Sequence, residues 1–119
     1  MDWVLDKGRP LCDQICEQLC VRIAKGEFAA GERLLSVRDV AVEAGVNPNT
    51  VQRAFENLER QGVLYSIRGS GWFVSEDITV AQSAFEGILH NKTAEYFIQM
   101  EALGLDMEAI KKYVEEWNQ

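Results

Sequence analysis

Residues 36–62, which read SVRDVAVEAGVNPNTVQRAFENLERQG, decide the fold. Ser36 is a preferred N-cap residue and begins one helix, which Gly45 ends after a few turns. Asn47 and Pro48 begin another helix at once, as its N-cap and its first helical residue. A short connection that contains glycine, placed between two short helices, is typical of a helix-turn-helix.

Apolar residues recur at helical spacing within this motif and before it. The second helix of the motif carries four of them, and Gly62 stops it: Val51, Ala54, Phe55 and Leu58. Upstream, a stripe at steps of four predicts an amphipathic helix with Pro10 in its first turn: Leu11, Ile15, Leu19 and Ile23. The sequence thus predicts three helices before residue 62.

The hydrophobic period changes after Gly62. Residues 63–67 and 72–74 are rich in β-branched and aromatic side chains, and they flank a turn with two glycines over residues 68–71. This pattern predicts a β-hairpin. Three helices followed by a hairpin describe a winged helix-turn-helix that ends near Ser75.

The remaining residues predict two further helices. A long helix runs from about Ile78 to Leu103, and its apolar side consists of Ala81, Phe85, Ile88, Phe97, Met100 and Leu103. Asp106 caps a last helix with Ile110, Tyr113, Val114 and Trp117. These two helices cannot bury their apolar sides on each other alone, so we expect a second subunit to cover them. The fold class is mainly α (α+β).

The acidity of the chain is concentrated at its C-terminal end. The net charge is −7 over 119 residues. Residues 1–75 hold nine Lys or Arg and ten Asp or Glu, whereas residues 76–119 hold three and nine. Binding to DNA phosphates normally requires a basic surface. Because the first 75 residues are nearly neutral, the net charge does not exclude DNA binding by that part.

The sequence carries little that would support catalysis or a membrane location. His90 is the only histidine, with no partner that the sequence identifies, and Gly69-Ser70-Gly71 is too short for a phosphate-binding loop. No apolar run is long enough for a membrane span, and the start lacks a secretory signal. We expect no enzyme activity, no cofactor and a cytoplasmic location.

Three cysteines, Cys12, Cys16 and Cys20, lie at steps of four on one stripe of the first helix. Thiolates at this spacing could hold a metal ion or sense oxidants. Cysteine is also a small apolar residue that widens a buried face, and no fourth ligand has a motif-like spacing. We favour packing, and metal or redox sensing stays open as an alternative.

The helix-turn-helix supplies the candidate DNA-binding residues. The first turns of a recognition helix present side chains to base edges and phosphates, and here those are Asn47, Asn49, Thr50, Gln52 and Arg53. Ser36 and Arg38 at the start of the preceding helix suit a phosphate. Arg68 and Gly69 at the hairpin tip suit the minor groove or the backbone. For Asn47, a purely capping role is an equally good interpretation.

The sequence resembles the GntR family of bacterial transcription regulators. The resemblance covers about 65 residues in family-like order: residues 10–15, Gly26, 31–34, 36–41, 46–55, 58–62 and 69–74. One departure is Leu35, where the family usually has proline before Ser-x-Arg. The resemblance implies that the residues named in the preceding paragraph contact a double-stranded DNA operator.

The short C-terminus resembles that of the YtrA-like subfamily, where two helices serve dimerisation. The resemblance therefore implies a DNA-binding domain over residues 1–75 and a dimerisation region over residues 76–119. It also implies a homodimeric repressor that binds a palindromic operator and controls its own operon and an ABC-type transporter. The repressor would be associated with the bacterial nucleoid when it is bound to DNA. The resemblance identifies no small-molecule effector. The alternatives are a winged helix that binds another protein and a regulator that responds through the cysteine stripe.

Overall fold

A computed structural model describes residues 1–118 and contains five α-helices and one hairpin. The helices are α1 (Leu11–Ala24), α2 (Val37–Ala44), α3 (Pro48–Arg60), α4 (Ile78–Ala102) and α5 (Met107–Glu116), and the strands are β1 (Leu64–Ile67) and β2 (Gly71–Val74). The described residues divide into two compact units, Met1–Glu86 and the part that begins at Gly87. The mainly helical winged helix-turn-helix predicted from the sequence is confirmed.

The core of the first unit is formed by α1 and α2 packing on α3. The residues of the predicted apolar stripes that are fully or almost fully buried are Ile15, Leu19, Ile23, Val51, Ala54, Phe55 and Leu58. Leu11, at the start of the first stripe, is only partly buried. Pro10 is the N-cap residue of α1 and not part of its first turn, because its ψ of 125° is extended.

The helix-turn-helix follows its local signals. Ser36 Oγ accepts a hydrogen bond from the Asp39 amide at 3.0 Å and caps α2. Gly45 ends α2 in the left-handed conformation at φ 70°, which a residue with a Cβ adopts only at a cost. Asn47 caps α3, and Pro48 is its first residue. Only residues 45–47 separate the two helices, so their relative position is closely fixed.

The hairpin β1–β2 is the wing. Its register pairs Leu64 with Val74 and Ile67 with Gly71. Gly71 therefore belongs to β2, and the predicted four-residue turn is a loop of three residues, Arg68–Ser70. Gly71 has φ 114°, which suits the sharp entry into the strand.

A feature absent from the sequence prediction is a short segment that pairs with β2, residues 31–34, here called the edge segment. Arg33 forms a β-bridge with Phe73. Further main-chain hydrogen bonds run from Gly31 N to Val74 O, from Leu34 N to Trp72 O and from Val74 N to Glu32 O. The edge segment occupies the side of β2 opposite β1, so main-chain hydrogen bonds join β2 to a neighbouring segment on each side.

The first nine residues lie along α1 and are bound by two glutamines of that helix. Gln14, which is 2% exposed, accepts a hydrogen bond from the Asp6 amide at 2.7 Å and donates to the Asp6 carbonyl at 2.6 Å. Gln18 donates to the Val4 carbonyl at 2.7 Å. A buried glutamine amide needs such partners, because an unsatisfied polar group is costly in the core.

The second unit consists of α4 from Gly87 onwards, a turn at Gly104, and α5. Asp106 Oδ1 accepts a hydrogen bond from the Ala109 amide at 2.9 Å and caps α5, as predicted. Ile110 is fully buried, but Leu103 is 78% exposed and Trp117 is 84% exposed. Of the predicted apolar side of α4, only Ala81 is buried within this chain. No helix of the described chain is both long enough and apolar enough to cross a bilayer.

Candidate nucleic-acid interface

The N-terminus of α2 presents a cation and free amides at the surface. Ser36 and Arg38 are both exposed. Ser36 fixes the first turn by its cap, and Arg38 follows two residues later with no ion pair inside residues 1–118. The amides of a helix N-terminus and the helix dipole favour an anion. The arrangement can therefore bind a phosphate group.

Helix α3 has a buried side and a polar side. Asn49 and Arg53 are exposed and stand one turn apart, and Gln52 lies beside them on the same side. Thr50 is half-buried next to this group. Since the opposite side of α3 is in the core, the polar side faces away from the domain. A helix with this division can enter a major groove with its polar side against the bases.

Besides Ser36, two of the predicted site residues make side-chain hydrogen bonds within the chain. Asn47 Oδ1 accepts a hydrogen bond from the Asn49 amide at 2.8 Å, so the capping interpretation of Asn47 holds for its carbonyl oxygen. Gln52 Nε2 donates to Glu56 Oε2 at 3.4 Å, a long hydrogen bond. Glu56 was not among the residues predicted for the site. Its carboxylate lies on the polar side of α3, where it would repel phosphates and could accept from a cytosine amino group.

The loop of the wing is exposed and has a backbone that only glycine adopts easily. Gly69 has φ 83°, and no atom lies near the place that a Cβ would occupy there. The Ser70 amide donates to the Ile67 carbonyl at 2.9 Å and closes the loop. Arg68 is exposed and joins none of the ion pairs among the described residues. The tip can therefore approach a narrow groove or a phosphate backbone.

Two contacts attach the wing to α3. Phe55 and Trp72 meet edge to face, with ring centroids 5.5 Å apart. Ser66 Oγ donates to Glu59 Oε2 at 2.8 Å. The wing tip and the polar side of α3 are thus held by one packed unit, which fixes the spacing between them.

The cysteine stripe faces the core and α3. Cys16 Sγ donates to the Ala54 carbonyl at 3.3 Å, and Cys12 Sγ accepts from Asn57 Nδ2 at 3.6 Å. Cys20 is buried and donates to the Ala81 carbonyl at 3.6 Å. Burial, with Cys12 close by, raises the pKa of Cys16 to about 12, and burial also raises the pKa of Cys20. These surroundings favour the protonated thiol and support the packing interpretation.

Across residues 1–118, no three His, Cys, Asp or Glu side chains are grouped as a metal site would require. His90 is exposed on α4. The features that the fold does assemble are a capped α2, a polar-sided α3 and a wing fixed to it. Together they define a winged helix-turn-helix regulator of the DNA-binding class.

Comparison with known proteins gives the family. Residues 11–74 match the bacterial regulatory proteins of the gntR family. The chain is 32% identical to the transcriptional regulator YhcF of Bacillus subtilis, over 97% of this chain and 98% of that protein. It is 30% identical to the transcriptional repressor YtrA of the same organism, over 90% of this chain and 83% of that protein.

A solved structure agrees along almost the whole length. A GntR family transcriptional regulator from Listeria monocytogenes superposes with a TM-score of 0.80 at 33% identity, covering 94% of this chain and 98% of that one. The protein belongs to the GntR family, and it is a DNA-binding transcription regulator of the YtrA-like kind. Members and relatives are regulators and not enzymes, in agreement with the sequence prediction.

Proposed function

We propose that the protein is a homodimeric repressor that binds a palindromic DNA operator. In this proposal residues 1–75 are the DNA-binding domain and residues 76–119 the dimerisation region. Each subunit places α3 in a major groove and sets the α2 N-terminus and the wing on the flanking backbone. Two-fold symmetry then requires half-sites whose centres lie one helical turn, or a multiple of it, apart.

The observation that carries the DNA-binding part is the division of α3 into two sides. Val51, Ala54 and Phe55 are fully buried, whereas Asn49 and Arg53 are exposed. A helix that binds another protein would present apolar or aromatic anchors on its outer side. The outer side of α3 instead carries an amide and a guanidinium, which suit adenine, guanine and phosphate. This argues against the protein-binding alternative.

The dimer is supported by the apolar residues that the chain leaves uncovered in its second unit. Ile98 and Met107 are exposed, as are Tyr113, Val114 and Trp117. A group of large apolar side chains on two helices is typical of an interface between subunits. The two helices leave these side chains uncovered within one chain, and the YtrA-like subfamily that the sequence resembles uses such helices for dimerisation, so the occupant that we propose is the same surface of a second copy.

The regulated genes are proposed from similarity alone. One relative bears the name of a repressor, YtrA. From the resemblance to the YtrA-like subfamily, we propose control of the protein's own operon and of an ABC-type transporter.

The test is a fluorescence-anisotropy titration of the DNA upstream of the protein's own gene, with random DNA as competitor. The titration is run at about 50 and about 200 mM salt, because phosphate contacts make the affinity fall as salt rises. We expect binding that survives the competitor, a footprint with two-fold symmetry, and twice the monomer mass in light scattering. Binding no tighter than that of random DNA would contradict the operator, and a monomer mass would contradict the dimer.

A single substitution tests whether Arg38 contacts a phosphate or a base. Arg38→Ala should weaken binding about tenfold, the value of one charge-assisted hydrogen bond. A uniform loss over all sequences indicates a phosphate contact, and relaxed preference at one position indicates a base contact. The control is Arg9→Ala, which removes the same charge from a residue that pairs with Glu17 at 3.4 Å. Equal affinity of the two variants would remove Arg38 from the interface.

A further inference from the structure

Arg33 is a basic residue that the DNA-binding site described above does not use. It lies in the edge segment, where its main chain bridges to Phe73 of β2. Its guanidinium extends along the wing to Gly71: a Cβ added at Gly71 would lie 3.4 Å from Nε and 3.6 Å from Nη2 of Arg33. Gly71 directly follows the loop Arg68–Ser70, so the guanidinium lies at the tip end of the wing.

This guanidinium has no anionic partner in the described part of the chain. The ion pairs found within residues 1–118 join the N-terminal amine to Glu43 and Arg9 to Glu17, and Arg33 takes part in neither. Its side chain donates none of the hydrogen bonds found there, and the residue is exposed. An unpaired cation at the surface of a nearly neutral domain is available to an external anion.

The backbone around Arg33 is held more firmly than that of a loop. Hydrogen bonds to β2 on both sides of Arg33 fix its Cα, as described for the edge segment. Gly71 has φ 114° and no side chain, and the guanidinium of Arg33 lies against its backbone. A side chain at position 71 would be strained by the positive φ of the backbone, whereas its Cβ would only touch the guanidinium. The main-chain position of Arg33 is therefore fixed by pairing with β2, a segment far away in sequence.

We propose that Arg33 binds a backbone phosphate of DNA beside the wing, as a second cation next to Arg68. This proposal rests on the DNA-binding function proposed above. A guanidinium presents parallel N–H donors that match two phosphate oxygens, and a fixed backbone lowers the entropy cost of binding. The interaction reads no base, so it contributes equally to any sequence. It also offsets part of the repulsion between phosphates and the acidic residues of the chain.

The experiment compares three variants on two duplexes of about 30 base pairs: one of mixed sequence, and one carrying the footprinted upstream site. Arg33→Ala should weaken binding to both duplexes about tenfold. It should also lower the slope of log affinity against log salt by about 0.9 for each phosphate that the protein no longer neutralises. Arg33→Gln keeps the stem on Gly71 without the charge and should weaken binding by a similar factor. The control, Arg9→Ala, should change neither quantity by a comparable amount.

The outcomes separate this proposal from the function on which it rests. If the unmodified protein binds the upstream site no better than mixed sequence, the proposed operator function fails. If it binds specifically and both Arg33 variants match Arg9→Ala, only the Arg33 contact is overturned. Weaker binding to the upstream site alone, with mixed-sequence binding unchanged, would show base reading and would also overturn the phosphate contact. Thermal unfolding confirms that each variant is folded, and Arg33→Gln provides the comparison if Arg33→Ala is not.

Discussion

At the scale of single residues, the protein places ordinary side chains in surroundings that change their chemistry. Cys16 is the clearest case, since its thiol lies between α1 and α3 and donates to a main-chain carbonyl. Burial raises the pKa of this thiol to about 12. The thiolate, which is the nucleophile and the metal ligand, is therefore scarce at neutral pH.

The burial of the thiols predicts slow alkylation by iodoacetamide and a stability that depends on pH. Cys16 and Cys20 in the folded protein should resist iodoacetamide at pH 8, and peptide mass spectrometry should show both alkylated after unfolding in guanidinium. The unfolded thiol ionises near pH 9 but the folded one does not. Stability contributed by the protonated thiol is thus present below about pH 9 and falls as the pH rises above it.

The control for the pH dependence is Cys16→Ala, which removes the titrating group. Between about pH 8 and pH 10 the melting temperature of the unmodified protein should fall more steeply than that of the variant. Parallel curves, or rapid alkylation of Cys16 in the folded state, would show that the thiol is not protected and would restore the redox alternative.

At the scale of elements, the helix-turn-helix depends on one left-handed residue between its helices. Gly45→Ala should lower the free energy of unfolding by about 1–2 kcal/mol, because the left-handed conformation that Gly45 adopts is unfavourable for alanine. Urea unfolding measures the change. The matched control is Gly87→Ala: Gly87 lies within α4, and an added Cβ meets nothing there. That variant should gain up to about 1 kcal/mol. If both variants changed the free energy of unfolding in the same direction, the left-handed conformation of Gly45 would be contradicted.

The hydrogen bond between the wing and α3 predicts an effect on DNA affinity. Ser66→Ala removes the hydrogen bond to Glu59 and leaves the Phe55–Trp72 contact to hold the wing on α3, so the wing should be positioned less precisely. Stability should change by no more than about 1 kcal/mol, since the pair is exposed, while affinity for the upstream site falls several-fold. The control is Ser83→Ala, at an exposed position of α4. Anisotropy titration of both variants tests this, and equal affinities would mean that the hydrogen bond does not position the wing.

Elements with a local signal could be predicted from the sequence, and elements built by distant pairing could not. Ser36, Gly45 and Asn47 act on their nearest neighbours, so the ends of α2 and α3 follow from the residue types themselves. The edge segment, and the attachment of the first nine residues by Gln14, depend on hydrogen bonds between separate segments of the chain. Such hydrogen bonds leave no periodic pattern in the sequence. The position of the candidate site was therefore predictable, whereas the place of Arg33 beside it was not.

At the scale of the whole molecule, a second copy is the proposed cover for the apolar side chains of α4 and α5. Val114→Glu places a charge among them and should reduce the mass in light scattering from dimer to monomer at micromolar concentration. Affinity for a two-fold site should fall with it, because two half-sites no longer bind together. The control is Gln61→Glu, which adds the same charge at an exposed position outside the proposed dimerisation region. A Val114→Glu protein that remains dimeric would place the interface elsewhere.

The hydrogen bonds from Gln14 and Gln18 to the first nine residues affect which substitutions this sequence tolerates. Gln14 and Gln18 bind the peptide groups of Asp6 and Val4 and not their side chains. The side chain at position 4 can therefore be exchanged widely without loss of the attachment, whereas a change at Gln14 would leave the amide and carbonyl of Asp6 without their partner and loosen that part of the segment. Among diverging descendants of this chain, the opening residues should drift while the two glutamines that hold them stay in place.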